Sequence, residues 1–128
     1  MIQWTEPHES WMNDWKMGLS PSEEEEISRA LLEIFRQFWH WAELDKKAKV
    51  TQRRYGASLH ALGGWAVEKM LEDEELQEPG YVRPSLYQLL VDATFLQGPL
   101  IHYDNKKWQS EVDTVCRKLH KFLVSRGE

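Results

Sequence analysis

The chain has 128 residues, 41% of them hydrophobic and 12% aromatic, with a net charge of −5 and a mean hydropathy of −0.63. That length supports one domain, residues 1–128, with a sizeable core, and that composition excludes a disordered chain. The lone Cys116 excludes an internal disulfide and a zinc site of several thiolates, and no uncharged apolar run approaches the ~20 residues that span a bilayer.

The opening MIQWTEPHES has no basic segment followed by an apolar one, so no secretory signal is visible and a cytoplasmic protein is expected. Four of the seven tryptophans (Trp4, Trp11, Trp15 and Trp39) lie in the first 40 residues. Thr5 as a cap and Pro7 in the first turn predict a short helix over roughly 6–17, stopped by Gly18. Trp11 and Trp15 then stand one turn apart. A tryptophan-rich arm over residues 1–19 packs either on its own domain or on a partner. Because tryptophan is enriched at interface hot spots, Trp4, Trp11 and Trp15 are the candidate partner-binding residues.

Residues 20–128 read as a helical bundle. Ser20, Pro21 and Glu23 give the clearest start signal in the chain: a capping serine, proline at the first helical position and an acid at the third. The first long helix is expected from about 21 to 46, with Ile27, Leu31, Ile34, Phe35, Phe38 and Trp41 on its buried face. Acids at 23–26 and lysines at 46, 47 and 49 suit its dipole at both ends.

Residues 55–67, YGASLHALGGWAV, carry no formal charge and predict a central, largely buried helix capped by Thr51 and ending near Leu71. Tyr55, Leu59, Leu62, Ala66 and Met70 form one apolar stripe. Ala57, Ala61 and Gly64 form an opposite stripe of small residues where another backbone could approach. Glycine inside a helix costs about 1 kcal/mol relative to alanine, so close packing must offset Gly56, Gly63 and Gly64, or the Gly63-Gly64 pair bends the helix.

An acidic connection follows over 72–84. A third helix is expected from Pro84 and Ser85 to just before Gly98 and Pro99, with Leu86, Leu89, Leu90, Ala93 and Leu96 inward. The last helix, capped by Asp104 or Asn105, runs to about Ser125 on a stripe of Trp108, Val112, Val115, Leu119 and Phe122. No strand is predicted. The fold class is therefore all-α, an antiparallel four-helix bundle with a short additional N-terminal helix or arm.

Charge alternates in blocks along this order. Residues 1–45 hold 10 acids and 3 bases, 46–70 hold 1 and 6, 71–104 hold 7 and 1, and 105–128 hold 3 and 6. In a simple up-down-up-down bundle one pole would collect Lys46, Lys47, Lys49, Arg53, Arg54, Lys106 and Lys107, with Tyr55, His102, Tyr103 and Trp108 beside them. The opposite pole would collect the acids at 23–26 and 72–75, partly offset by Arg117, Lys118 and Lys121. Bases beside exposed aromatics suit phosphate contact and base stacking, so these residues with Trp108 are the candidate nucleic-acid contacts. The plainer reading is charge complementarity at helix ends.

Motifs for catalysis are sparse. An arginine and a following histidine with four to six residues between them, on a helix of a small all-α domain, resemble the ribonuclease motif of HEPN domains. Arg54 precedes His60 with five residues between them, and Arg53 with six. The resemblance implies His60 as general acid or base and the arginine as a phosphate holder. That family's polar residue directly after the arginine is not obvious here. The reading adopted is a buried histidine satisfied within a tight helix pair.

His40 and Glu43 sit one turn apart, yet no second such pair exists to complete a di-metal carboxylate site, so no metal is expected. Cys116, with Asp113 and His120 in reach, falls near the core stripe and reads as an inert hydrophobe. No glycine-rich phosphate loop precedes a helix, and no cofactor is expected. The sequence thus predicts a non-enzymatic helical-bundle protein (an adaptor, an inhibitor or a small subunit of an assembly) acting through another protein, with nucleic acid as a second partner at the basic pole. The alternative is a HEPN-like ribonuclease using Arg54 and His60.

Overall fold

The computed structural model describes residues 6–16, 18, 21–71, 85–95, 97–102 and 104–125, and these form five α-helices and one 3-10 turn, with no strand among them. The helices are α1 (Trp11–Asp14), α2 (Pro21–Trp41), α3 (Lys49–Met70), α4 (Leu86–Thr94) and α5 (Lys106–Ser125). The regular structure of the described residues is all helical, as the periodicity predicts. No helix among the described residues is long and apolar enough to cross a membrane. The acidic connection over 72–84 and Trp4, Thr5, Ser20, Leu96 and Tyr103 lie outside the described residues.

The N-terminal helix is shorter than the expected 6–17. His8 Nδ1 accepts the Ser10 N–H at 3.1 Å, and the first helical bonds run from Trp11 N to His8 O and from Met12 N to Glu9 O. The cap position falls at Ser10, whose side chain makes no cap bond, so the helix starts several residues later than Thr5 and Pro7 suggest. Trp11 and Trp15 are 4% and 3% exposed and belong to the same core cluster as Leu31, Phe35, Leu59 and Leu119. This corrects their reading as partner-binding anchors: both indoles are packed within the chain itself. Gly18, the expected stop, holds a φ of +79°, a left-handed turn that glycine adopts without steric cost. Its N–H points to Glu24 Oε1 at 3.3 Å. Glu24, one of the acids expected at the acidic pole, is buried there.

Helix α2 starts at Pro21 as predicted but stops at Trp41 rather than 46. Glu43 takes a φ of 54°, and the chain turns through a 3-10 segment, Leu44–Lys46. Two side chains hold that reversal. Trp39 Nε1 donates to Asp45 Oδ1 at 2.9 Å, and Gln52 Nε2 donates to the carbonyls of Asp45 (3.3 Å) and Lys47 (3.0 Å). Leu44 is buried there, whereas Trp41, expected on the inner stripe, is 43% exposed.

Helix α3 is the most buried of the long helices, with nine of 22 residues buried against seven of 21 in α2 and six of 20 in α5. It begins at Lys49, with Ala48 at the cap position, so Thr51 lies within the helix and does not cap it. Leu59, Leu62, Ala66 and Met70 face the core as predicted. Close approach occurs beside that small-residue stripe, at Gly63, where an added Cβ would overlap the Trp15 ring. At Gly64 the nearest Trp15 atom would lie at an ordinary 3.6 Å.

Ser85 caps α4 by accepting from Gln88 N at 3.1 Å, and Asn105 caps α5 by accepting from Trp108 N at 3.0 Å. Helices α4 and α5 are antiparallel: Tyr87 donates to Leu123 O at 2.7 Å, and His120 Nδ1 lies 3.1 Å from Val91 O. The starts of α3 and α5 meet, with Arg54 Nε 3.7 Å from Glu111 Oε1. The ends of α2 and α5 also meet, where the Phe122 ring lies 5.9 Å from Phe38 and 5.5 Å from Trp41. A simple up-down-up-down order would instead put the end of α5 beside the start of α2. The aromatic cluster of Phe38, Trp41, Tyr55 and Phe122 lies at this meeting point. The starts of α3 and α5 come together as the basic pole requires, whereas the end of α5 meets the end of α2 and not the acidic start that the opposite pole requires.

Candidate binding groove between α3 and α5

One turn-by-turn face of α3 carries Arg53, Ala57, His60 and Ala61, at the spacing that aligns residues along a helix. Opposite stand His102 and the first turns of α5, with Trp108, Glu111 and Val112. Between them lies a groove of about 370 Å³ that Arg54 and Ser58 also line. Ala57 and Ala61 keep its α3 side low, so the small-residue stripe opens on space instead of on a packed backbone. A shallower hollow continues along the same stripe past Gly64 and Trp65 to Leu100 and Ile101.

The wall opposite α3 is built by Gln109, which the sequence reading did not single out. Its Oε1 accepts the N–H groups of Ile101 and His102, each at 2.9 Å. Its Nε2 donates to Pro99 O at 2.9 Å and to Asp113 Oδ1 at 3.0 Å. Asp113 Oδ1 also accepts the Gly98 N–H at 3.0 Å. One amide and one carboxylate, a turn apart on α5, thus hold residues 98–102 in place. His102 is thereby set edge-on to Trp108, ring centres 5.4 Å apart and planes at 82°. Trp108, expected on the buried stripe, is 55% exposed at the rim.

His60 stands where the groove meets the N-terminal segment. Its side chain is 21% exposed, and Nε2 donates to Asp14 Oδ2 at 3.0 Å. The Trp11 ring meets the imidazole edge-on at 5.5 Å, and Trp15 Nε1 donates to the His60 main-chain carbonyl at 2.9 Å. The histidine is therefore tied to a carboxylate while still lining the cavity that Arg53 and Arg54 line. Arg54 and Glu111 are 59% and 29% exposed at 3.7 Å, a solvent-screened contact of at most about 1 kcal/mol.

Of the predicted basic pole, Arg53, Arg54 and Trp108 line the groove, while Lys46, Lys47, Lys49, Lys106 and Lys107 are exposed and do not. Trp11 and Trp15 are in the core. Among the described residues no three His, Cys, Asp or Glu side chains converge as metal ligands. Burial pushes the Cys116 thiol up to about 12, and Asp113 adds to the effect while Arg117 opposes it. His120 is held against Val91 O and Thr94 Oγ1, so no activated thiol exists there. Two larger hollows, about 760 and 830 Å³, flank α2. Both are lined by several glutamates, and their Arg29 is paired with Glu25 at 2.9 Å, so they do not combine basic and exposed aromatic groups.

No protein-family model, curated protein or solved structure matches this chain.

Proposed function

We propose that this is a non-enzymatic binding protein of the cytoplasm, built as a helical bundle, whose macromolecular partner seats in the groove between α3 and α5. A single observation carries the reading: Arg53, Arg54, His102 and the exposed Trp108 gather around one cavity floored by two alanines. Arginine and tryptophan are the side chains that most often dominate binding energy, and concave sites with few polar groups are the usual seats of ligands. With Trp11 and Trp15 in the core, the groove replaces the N-terminal arm as the expected contact. The test compares partners retained from the native host by the wild type, by Trp108→Ala with Arg53→Glu, and by Phe95→Ser as a control elsewhere. Rebinding of each purified partner follows. A partner lost only by the groove variant supports the proposal, and one kept by it and lost by the control refutes it.

A second reading, the HEPN-like ribonuclease, is favoured by one observation: Arg54 and His60 line the same groove. In it His60 would move a proton and the arginine would hold phosphate. Against it, Nε2 of His60 already donates to Asp14. RNA cut by the wild type and left intact by a folded His60→Ala variant would establish this reading. Absence of cutting by both sustains the binding role.

A further inference from the structure

Resting on that reading of the groove, we infer that its occupant is a single-stranded nucleic acid, held one nucleotide at a time. The base stacks on Trp108 and a backbone phosphate lies at Arg53 and Arg54.

Size is the first argument. A cavity of about 370 Å³ is at the small end of ligand sites. Two turns of a partner helix, about 11 Å long and at least 10 Å across, would need roughly twice that space. A single nucleotide is the smaller macromolecular unit, and it needs no long trough.

Chemistry is the second. Trp108 is 55% exposed, and His102, whose N–H is held by Gln109, lies 5.4 Å from it with the ring planes at 82°, so the indole stands at the rim with one neighbour fixed. An unstacked base finds in such a ring a sequence-tolerant platform. The α3 wall contributes Arg53 and Arg54 and no acid, although the whole chain is acidic. Lys106 and Lys107 immediately precede Trp108 and are exposed, outside the groove lining itself. The start of the 20-residue α5 adds a weak positive end there. Glu111 stands 3.7 Å from Arg54 on the α5 side, a solvent-screened contact that a phosphate at Arg54 would replace. Duplex DNA, with its bases paired and stacked, cannot use the Trp108 platform without opening.

The experiment is fluorescence anisotropy of labelled ten-nucleotide RNA and DNA strands at 50 and 200 mM salt. Arg53→Glu and Trp108→Ala are compared with the wild type, and Lys121→Glu near the end of α5 is the control. All three positions are at exposed or half-exposed surface sites, and circular dichroism checks their folding. Expected results are binding of either strand at low salt and at least tenfold weakening at the higher salt. Each groove variant weakens binding by about fivefold or more. Arg53→Glu also lowers the salt slope by about one, and Lys121→Glu changes affinity less than twofold. An unlabelled duplex should compete poorly.

No binding at 50 mM, or displacement by a glutamate-rich helical peptide that itself binds the groove, overturns the inference. If the groove variants still lose a host protein partner, the groove reading stands and only the nucleic-acid assignment falls. Nucleic-acid binding that ignores both groove variants sinks the assignment and the groove together.

Discussion

The indole N–H of Trp15 donates to the main-chain carbonyl of His60 at 2.9 Å, and the same ring fills the space that a side chain at Gly63 would need. A helix carbonyl already inside its own ladder accepts a second bond because the missing side chain lets the ring come close. Trp11 at 6.0 Å and Phe35 at 6.2 Å wall the ring in, so it has little room to retreat.

Gly63→Ala tests this directly. Alanine normally stabilises a helix by about 1 kcal/mol over glycine. Here the added methyl collides with Trp15, and a loss of about 1–3 kcal/mol in chemical denaturation is expected. In a Trp15→Ala background the same change should become neutral or stabilising, because the two residues act through one contact. Gly64→Ala has no such obstacle and should not destabilise.

Gln109→Leu should release the segment at 98–102. It removes two acceptor bonds and two donor bonds at once, leaving the Ile101 and His102 N–H groups to water. Amide hydrogen exchange at both positions should accelerate sharply, with a global cost of about 1–3 kcal/mol. Unchanged protection there would mean that Asp113 alone holds the loop.

Gln52→Glu should be destabilising in a pH-dependent way. The amide donates to two carbonyls, and an ionised carboxylate in its place would face both without a proton. The fold would disfavour that charged form and raise the pKa of the introduced group. Its deficit is therefore fullest at pH 7 and should shrink as pH falls toward about 4, where the protonated acid can donate once. Denaturation midpoints at the two pH values check the sign, with Gln52→Ala as the pH-independent comparison.

Cys116 should resist alkylation in the native state at pH 8 and react readily in denaturant. Burial holds the thiol at about 12, so almost no thiolate is present. The fold favours the neutral thiol, so its contribution is complete below the ordinary value of 9.0 and is lost as pH climbs toward 12. Rapid native labelling would show that the α5 face around Gly98 opens.

Much of the fold is legible from local rules. Pro21 starting α2, Ser85 capping α4, Asn105 capping α5, and the buried positions Leu59, Leu62 and Ala66 all follow from cap chemistry and helical spacing. The errors cluster where a side chain reaches across a turn to main-chain or side-chain groups outside its own helical spacing. Helix α2 ends early because Trp39 and Gln52 hold a turn, and nothing local to residues 42–46 announces it. Gln109 and Asp113 look like a solvated i, i+4 pair until residues 98–102 fold onto them.

The sequence by itself determined that the chain is helical, where most helices begin, and which residues of α3 face a core. Those properties depend on neighbours within one or two turns, so spacing and capping express them. Tertiary structure alone decided that Trp11 and Trp15 are core residues and Trp108 a rim residue, although all three sit on helical stripes. It also decided that Arg53, Arg54 and His60 share a groove with His102. A stripe states only that one side of a helix is apolar. Which side finds a partner depends on how helices cross, and here that crossing is set by aromatic contacts between residues as far apart as Phe38 and Phe122.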